Sequence, residues 1–326
     1  MKQKKEKSEN STPGQSNDMG TGSFYHTPVL LHEAIDALNI KPDGIYVDCT
    51  FGGGGHSKAV LEKLGKSGKL VAFDQDEDAR KNLMDDSRII FIPQNFRHLQ
   101  RFLRLNNIRA VDGILADLGV SSHHFDEASR GFSTRFNADL DMRMDQRERK
   151  TAFEIVNSYT EEQLHKLFEQ YGEVSNSKTL ARSIVQLRSN LSLQTTDGFK
   201  NALREIVKGN PNKYFAQVFQ ALRIEVNDEL GALKEMLEQL PAVLHPGGRA
   251  AIITFHSLED RLVKIFFRDG TFTPPPDNPF TNFQNNSFLK MVNRKPVIPG
   301  EEEMRMNRRA RSAKLRIAER VFDENK

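Results

Sequence analysis

The sequence predicts an α/β fold in which an all-helical segment interrupts a parallel sheet. Three observations lead to this prediction. Short apolar runs alternate with helical patterns between residues 29 and 118, four glycines follow the first apolar run, and residues 143–212 show helical spacing without a convincing strand. Strands that alternate with helices form parallel sheets with right-handed crossovers.

Four apolar runs in the first third of the chain are predicted to be strands of one sheet. They lie at about residues 45–50, 70–74, 88–93 and 112–118, and the predicted helices lie at 29–38, 57–64, 76–85 and 98–105. Each run has the length of a strand, and the helical spacing between runs supplies the crossovers.

The remaining elements are predicted from helix caps and apolar spacing. Thr160 and Gln163 form a capping box for the first of three helices in the interruption. Ser257 and Asp260 are expected to cap a later helix in the same way. The further predicted elements are a single long helix at 215–240, a strand at 249–255, a helix at 258–268 and a last strand at 314–318.

The composition and the element pattern divide the chain into three parts. Residues 1–23 are rich in Lys, Ser, Asn and Gly and are predicted to be a disordered tail. Residues 24–142 and 213–326 are predicted to form the sheet domain, and residues 143–212 an inserted helical domain. The length of 326 residues suits this arrangement, since domains usually have about 100–200 residues.

The composition also excludes several classes of protein. Apolar stretches such as residues 250–255 fall far short of the ~20 residues of a transmembrane helix, and the N-terminus does not resemble a signal peptide. The single cysteine, Cys49, excludes an internal disulfide and is interpreted as a small buried apolar residue. We therefore predict a cytoplasmic protein without a membrane partner, whose oligomeric state the sequence does not indicate.

The net charge of +3 conceals a basic segment near the C-terminus. Residues 294–320 contain nine Lys or Arg and four Glu, a local balance of +5. Such a segment can bind phosphates although the total charge is near zero. A solvated surface segment that keeps the protein in solution is an equally good interpretation of the same residues.

Acidic residues and glycines at the ends of predicted strands indicate a nucleotide-like ligand. Asp48 ends the first strand and precedes Gly52–Gly55, Asp74 ends the second strand, and Asp117 ends the fourth. Ligands of open α/β sheets bind outside the carboxyl ends of the strands. The spacing G-x-G-x-x-G of a pyrophosphate site is missing, which favours S-adenosylmethionine over a dinucleotide. The alternative is a merely flexible glycine turn.

Long strings of the chain resemble the bacterial small-subunit ribosomal RNA cytosine-N4 methyltransferase family. The strings, in order, are HTPVLLHEA at 26–34, DCTFGGGGHS at 48–57, GILADLGVSS at 113–122, RGFS at 130–133, DLDMRMD at 139–145, FQALRIEVNDEL at 219–230, ITFHSLEDR at 253–261, PGEEE at 299–303 and RRARSAKLRIAER at 308–320. The resemblance implies a class I, Rossmann-like methyltransferase sheet with an inserted helical domain. It also implies methyl transfer from S-adenosylmethionine to N4 of one cytosine in the decoding region, with 16S ribosomal RNA or the small ribosomal subunit as partner.

The resemblance also implies which residues bind the cofactor. These residues are Gly54, Gly55, His56, Asp74, Phe96, Asp117 and His124. His124 departs from the family pattern, since His123-His124-Phe125 stands where Pro-Gln-Leu is usual; an imidazole can replace the amide as a hydrogen-bond partner. Ala216 and Val218 also depart from it, because Arg and Thr are commoner there.

Asp117 is the residue to which we assign the chemistry. The lone pair of a cytosine amino group is delocalised into the ring, so an acceptor on an N4 hydrogen would localise the pair and help the proton depart. Ser121 and Ser122 are expected as auxiliary contacts, with turn residues as the alternative. For Asp117 the alternative is a cofactor contact only. The D/N-P-P-Y string of DNA amino-methyltransferases is absent.

The residues expected to hold RNA phosphates are Arg143, Arg308, Arg309 and Arg311. No metal is expected, since the chain lacks a Cys/His spacing typical of a metal site. Two other functions remain open at this stage. One is a methyltransferase acting on another RNA base or on a small molecule, and the other is a non-catalytic RNA-binding assembly factor.

Overall fold

A computed structural model describes residues 28–120, 127–273 and 288–321 of the chain. Within these ranges one seven-stranded sheet has the strand order β3-β2-β1-β4-β5-β7-β6. The predictions for the tail at 1–23 and for Ser121, Ser122 and His124 lie outside the described residues.

Six strands of the sheet run in one direction, and one strand, β7, runs antiparallel to them. The strands are β1 Ile45–Asp48, β2 Lys69–Phe73, β3 Ile89–Ile92, β4 Val111–Asp117, β5 Leu244–Thr254, β6 Leu289–Met291 and β7 Lys314–Arg320. Strands β1 to β5 pair in parallel, whereas β7 pairs antiparallel with both β5 and β6. The predicted α/β class with a parallel sheet is thus confirmed.

Eleven α-helices lie within the described ranges. They are α1 Leu31–Ala37, α2 Gly55–Lys63, α3 Leu99–Leu105, α4 Ala152–Ser158, α5 Glu161–Gln170, α6 Ser177–Leu187, α7 Thr196–Ala202, α8 Pro211–Asn227, α9 Glu229–Val243, α10 Ser257–Asp269 and α11 Glu301–Met306. Short 3₁₀ helices occur at Glu77–Asn82, Phe96–His98, Ala128–Arg130, Arg204–Ile206 and Arg308–Ser312.

The sheet is buried on both faces, as its continuous apolar strands require. Ile114 points into a cluster that includes α3, α9 and α10, and the next residue, Leu115, points into a second cluster with α1 and α2. Ile252 and Ile253 of β5 alternate in the same way. Side chains of successive strand residues face opposite sides, so both layers of helices are anchored by the same strands.

The helices between β4 and β5 have a buried cluster of their own. Phe168, Ile184 and Phe199 are fully buried in it. The cluster extends from Phe132 to Val226, so it includes residues on both sides of the predicted boundaries at 143 and 212. The division of the chain into these domains stays a prediction.

Three predictions about local structure are wrong. The helix expected at 215–240 is two helices, α8 and α9, because Asp228 has a left-handed backbone with φ of 47°. The helix expected at 76–85 is a 3₁₀ helix at Glu77–Asn82. Helix α10 is capped by His256 with Glu259 at its third position, rather than by Ser257 with Asp260. Within the described ranges, no helix has both the length and the apolar character needed to span a membrane.

Candidate active site

A large cavity lies where the strand order reverses. The chain passes outward from β1 through β2 to β3 and then returns to the other side of β1 as β4, so loops after β1 and β4 diverge at the carboxyl edge. This switch point is the usual ligand crevice of open α/β sheets. The cavity there measures about 1270 Å³. That volume exceeds a typical small-molecule pocket of roughly 300–1000 Å³, so the cavity has room for two reactants.

The turn after β1 is held by the buried carboxylate of Asp48. Its Oδ1 accepts a hydrogen bond from the amide of Thr50 at 3.0 Å, and its Oδ2 accepts one from the hydroxyl of Ser57 at 2.7 Å. Gly54 is the N-cap of α2 and has φ of 75°, a conformation that favours glycine. A Cβ at Gly53 would meet nothing within 4 Å, so this backbone is open to a ligand that approaches closely.

Asp74 follows β2 and lines the cavity. Its Oδ2 accepts from the amide of Gly52 at 2.7 Å, and its Oδ1 accepts from the amide of Asp76 at 2.8 Å. Burial raises the pKa of Asp74 to about 7 even though both amides favour the charged form. Each oxygen keeps a second lone pair, which is what two neighbouring ribose hydroxyls would need.

Phe96 lines the same cavity beyond β3. It begins a 3₁₀ helix whose N-cap, Asn95, accepts from the amide of Arg97. The amide group of Asn95 also donates to Gln75 Oε1 at 2.7 Å, which fixes the loop after β3 to the loop after β2. The side chain is partly buried and lines the cavity, so an aromatic ring is available there to contact a planar base.

Asp117 ends β4 on the opposite wall of the cavity. Its backbone amide donates to the hydroxyl of Thr50 at 2.7 Å, which ties the β4 end to the turn after β1. Oδ1 is buried and has no hydrogen-bond partner among the described residues, so the exposed quarter of the side chain belongs to its other atoms. Burial, together with the nearby carboxylates of Asp48 and Glu259, raises the pKa of Asp117 well above its usual value.

His56 lies one position into α2 and is buried beside Asp117. Its Nε2 is 3.2 Å from the carbonyl oxygen of Val29, and its Nδ1 is 3.8 Å from Oδ2 of Asp117. The structure thus brings together six of the predicted cofactor residues along one cavity. They are Gly54, Gly55, His56, Asp74, Phe96 and Asp117.

Polar residues that sequence reasoning did not select form another part of the cavity wall. Arg223 and Glu229 make a bidentate ion pair with distances of 2.7 and 2.9 Å, and both side chains are largely buried. His256 and Glu259 stand nearby, with Nε2 and Oε1 3.1 Å apart. Burial acts to raise the pKa of Glu259, but the hydrogen bond and charge of His256, together with a hydrogen bond from the Phe255 backbone amide, outweigh it. The pKa of Glu259 therefore lies below its usual range.

One group of these residues also has ligand atoms close enough for a metal. The candidate atoms of Glu229, His256 and Glu259 all lie within 4.8 Å of one another. However, the charge of Glu229 is neutralised by Arg223, and Glu259 accepts hydrogen bonds from the backbone amides of Phe255 and His256. We therefore interpret the group as an ion-pair and capping network, and the absence of a metal stays a prediction.

The four arginines expected to bind RNA do not share one environment. Arg143 donates to Asp141 and to the carbonyls of Gln146 and Glu148, so its guanidinium holds a local turn. Arg308 and Arg311 are exposed, and Arg309 lines the cavity. The basic 3₁₀ helix at Arg308–Ser312 therefore reaches the rim of the site, whereas Arg143 is already engaged elsewhere.

Fold and site together define the class of protein. A parallel sheet with a glycine turn opening α2, an acid after β2 and a cavity at the switch point are the features of a class I methyltransferase.

Comparisons with known proteins identify the family within this class. The sequence profile of the MraW methylase family matches residues 23–321. The ribosomal RNA small subunit methyltransferase H of Flavobacterium johnsoniae is 53% identical over 304 residues, covering 93% of this chain and 100% of the relative. That of Christiangramia forsetii is 53% identical over 298 residues, covering 91% and 98%. A solved rRNA methylase from Streptococcus thermophilus aligns with a TM-score of 0.40 and 13% identity, covering 90% of this chain and 96% of that one.

The chain therefore belongs to the MraW methylase family, and it is a methyltransferase that uses S-adenosylmethionine. The residues that line the cavity fit this methyl donor. The bare backbone at Gly53, the free lone pairs of Asp74 and the partly buried ring of Phe96 suit a nucleoside with an extended amino-acid portion. The partly exposed carboxyl group of Asp117 lies on the same cavity and can accept a hydrogen bond from a ligand there.

Proposed function

We propose that this protein transfers a methyl group from S-adenosylmethionine to the exocyclic N4 of one cytosine in the decoding region of 16S ribosomal RNA. Support comes from the curated relatives, both named as ribosomal RNA small subunit methyltransferases over almost their whole length. A cytoplasmic location belongs to the same proposal, because ribosomal RNA is the substrate.

The observation that carries the proposal is the state of Asp117. The carboxyl group of Asp117 ends β4 on the cavity wall with a quarter of its side chain exposed, so it can accept a hydrogen bond from a ligand that brings an N–H group. The exocyclic amine of cytosine carries two such hydrogens. Accepting one of them localises the nitrogen lone pair, which is otherwise spread into the ring, and makes the nitrogen a better nucleophile.

The other residues of the cavity hold and align the reactants. Bound S-adenosylmethionine supplies a methyl group on a positively charged sulfur, so the leaving group needs no acid. Gly54 and Gly55 would run beside the methionine portion, Asp74 would bind the ribose, and Phe96 would cover the adenine. Alignment of nitrogen, carbon and sulfur in a line is the main contribution that such a site makes to the rate.

The target base must leave its stack to enter this cavity. We assign the holding of the surrounding phosphates to the basic 3₁₀ helix at Arg308–Ser312, which combines two exposed arginines with Arg309 on the cavity wall. Arg143 belongs to the same proposal, although its guanidinium would have to exchange local carbonyl partners for phosphate. The helical region between β4 and β5 is assigned to substrate recognition.

The proposal is tested with small-subunit RNA from cells that lack this protein. The purified protein is supplied with deuterated-methyl S-adenosylmethionine and either free 16S RNA or assembled subunits, and the nucleosides are analysed by mass spectrometry. Labelled N4-methylcytidine at a single position is expected. Label on another base or on small molecules would support a different acceptor, and cofactor binding without label in any RNA would support the non-catalytic assembly factor.

A further inference from the structure

The guanidinium of Arg223 has one nitrogen that the fold does not use. The residue lies near the end of α8, and its side chain lines the cavity. Nε and Nη2 donate to the two carboxylate oxygens of Glu229 at 2.7 and 2.9 Å. Nη1 makes no hydrogen bond among the described residues. An arginine has five N–H groups, so the two on Nη1 are available to a ligand in the cavity.

Glu229 fixes the direction of these free donors. A bidentate pair of arginine and carboxylate is planar and geometrically specific. The side chains of Arg223 and Glu229 are only 13% and 10% exposed, so packing holds the pair in place. The N–H groups of Nη1 therefore have a defined orientation, as a site that recognises the shape and polarity of a ligand requires.

Glu259 relates Arg223 to Asp117. Asp117 pairs with Ile253 in the sheet, and Glu259 accepts two backbone amides just beyond the end of β5. Burial, with charge from carboxylates that include Glu259, raises the pKa of Asp117. Burial lowers the pKa of Arg223, but the ion pair with Glu229 and the charge of Glu259 outweigh it. The acceptor on β4 and the donor on α8 thus lie near one carboxylate at one end of the cavity.

We propose, on the basis of the function proposed above, that Arg223 determines base specificity by donating a hydrogen bond from Nη1 to O2 of the target cytosine. Flipped bases are recognised by hydrogen bonds to their Watson–Crick edge. N4 and O2 stand at opposite ends of that edge, so Asp117 would accept from the first and Arg223 would donate to the second.

This contact distinguishes cytosine from adenine, which also carries an exocyclic amine. Adenine presents its amine and a ring nitrogen in the same order as cytosine, but it has a C–H group where cytosine has O2. A site built to hydrogen-bond one group of a substrate rejects an analogue that lacks this group, because a buried polar partner is left unpaired. The guanidinium of Arg223 would be that unpaired partner.

The charge and position of Arg223 favour the base over the carboxylate of the cofactor. The pair with Glu229 has no net charge, so it attracts an anion much less than a free arginine would. Its directed N–H groups suit a neutral carbonyl oxygen. Arg223 also belongs to the end of the helical region, whereas the glycine turn proposed for the methionine portion follows β1.

The first experiment needs only the wild-type protein. Two preparations of 16S RNA, free or assembled, carry either cytidine or 2-thiocytidine at the methylated position. Sulfur accepts hydrogen bonds more weakly than oxygen, and the amine at position 4 is kept. We expect kcat/KM to fall about tenfold with 2-thiocytidine, as for one weakened hydrogen bond from a charged donor. Equal values for the two RNAs would overturn the proposal.

The second experiment asks whether this loss depends on Arg223. In Arg223→Lys the ammonium can still pair with Glu229, but the rigid fork with its free N–H groups is lost. We expect kcat/KM with cytidine to be about tenfold to a hundredfold lower. Replacing O2 by sulfur should then cost less than about a further twofold, because the partner of O2 is already missing.

The matched control is Arg249→Lys. It removes the arginine fork from an ion pair with Glu319, and neither residue lines the cavity. This variant should keep the wild-type kcat/KM for cytidine and the wild-type loss with 2-thiocytidine. If Arg223→Lys shows the full wild-type loss with sulfur, that loss reflects the size of the atom, and the proposal is wrong.

Calorimetry separates the base from the cofactor. The Kd for S-adenosylmethionine should change less than about threefold in Arg223→Lys. A loss of affinity as large as the loss of kcat/KM would assign Nη1 to the carboxylate of the cofactor and overturn the proposal. Mass spectrometry of the wild-type product reports separately whether cytosine N4 is methylated, so failure of the proposed function is distinguishable from failure of this inference.

Discussion

Nη1 of Arg130 lies 3.3 Å from Oδ2 of Asp76, and each side chain is less than a tenth exposed. The same guanidinium donates through Nη2 to the backbone carbonyls of Arg143 and Met144. The backbone amide of Asp76 in turn donates a hydrogen bond to the carboxylate of Asp74. The segment that leads into the helical region is therefore fixed to the loop that carries Asp74, the residue proposed to bind the ribose.

Replacing Arg130 should destabilise the fold and weaken the cofactor site together. Arg130→Met keeps much of the side-chain volume but leaves a buried carboxylate and two carbonyls without this donor, a loss that typically costs about 3–5 kcal/mol. We expect the free energy of unfolding, measured in urea, to fall by about 3 kcal/mol. Lys166→Met, which removes an exposed ion pair on α5, is the control and should leave the urea midpoint nearly unchanged. A midpoint for Arg130→Met equal to that of the control would contradict a structural role for the pair.

Asp117 should matter more for methyl transfer than for holding the cofactor. Asp117→Ala removes the acceptor for the N4 hydrogen, and loss of such a group usually lowers the rate by about 10²–10⁴-fold. Calorimetry should give a Kd for S-adenosylmethionine within about tenfold of wild type, and a methyl-incorporation assay should give the larger loss. If the two losses are equal, Asp117 is a binding residue only.

The affinity for S-adenosylmethionine should fall in mild acid because of Asp74. Burial raises the pKa of this carboxyl to about 7 in the free protein. Ribose hydroxyls donate to the carboxylate form, so binding favours the deprotonated state and must expel a proton below pH 7. We expect the affinity to fall roughly tenfold per pH unit below that value and to level off above it.

Calorimetry between pH 5.5 and 8.5, repeated in buffers of different ionisation enthalpy, measures both the affinity and the proton released. Asp74→Asn is the control. It should bind S-adenosylmethionine more weakly at neutral pH, but its affinity should not show the steep fall between pH 7 and 5.5. The ammonium of the cofactor titrates in both proteins and therefore cancels in the comparison. A wild-type slope equal to that of Asp74→Asn would show that Asp74 is not the group responsible.

The cavity wall that carries Asp74 and Asp117 could be predicted because it is encoded at strand ends. Asp74 and Asp117 each follow an apolar run, and the carboxyl ends of parallel strands converge at one edge of the sheet. Their location at the same edge of the sheet therefore follows from the strand pattern alone. The order of the strands, which places β4 beside β1, is not contained in that pattern, and it is what forms the cavity.

The cavity wall formed by Arg223 and Glu229 could not be predicted. It depends on the break between α8 and α9, which apolar spacing does not reveal. Both α8 and α9 have an apolar face, so residues 215–240 read as one amphipathic helix, and nothing in that spacing singles out Arg223 or Glu229. Asp228 interrupts the helix in a left-handed conformation, and a Cβ at Gly231 would lie only 2.4 Å from its Oδ1. The break lets Glu229 turn back onto Arg223, which creates the buried ion pair.

RNA binding should depend on the basic 3₁₀ helix near the cavity. The triple variant Arg308→Glu, Arg309→Glu and Arg311→Glu reverses three charges at the rim of the site, where phosphates beside an unstacked base would lie. We expect 16S RNA affinity at moderate salt to fall by at least tenfold, and the slope of log Kd against log salt to decrease by about two to three, as counterion release by three contacts requires.

A control with the same change in net charge separates this local contact from general repulsion. Lys69, Arg104 and Arg109 are exposed near the amino edge of the sheet, opposite the cavity. Changing these three residues to Glu should lower RNA affinity much less and leave the salt slope nearly intact. Because long-range repulsion acts on both variants and direct phosphate contact on the first alone, equal losses in the two proteins would remove the basic helix from the RNA-binding surface.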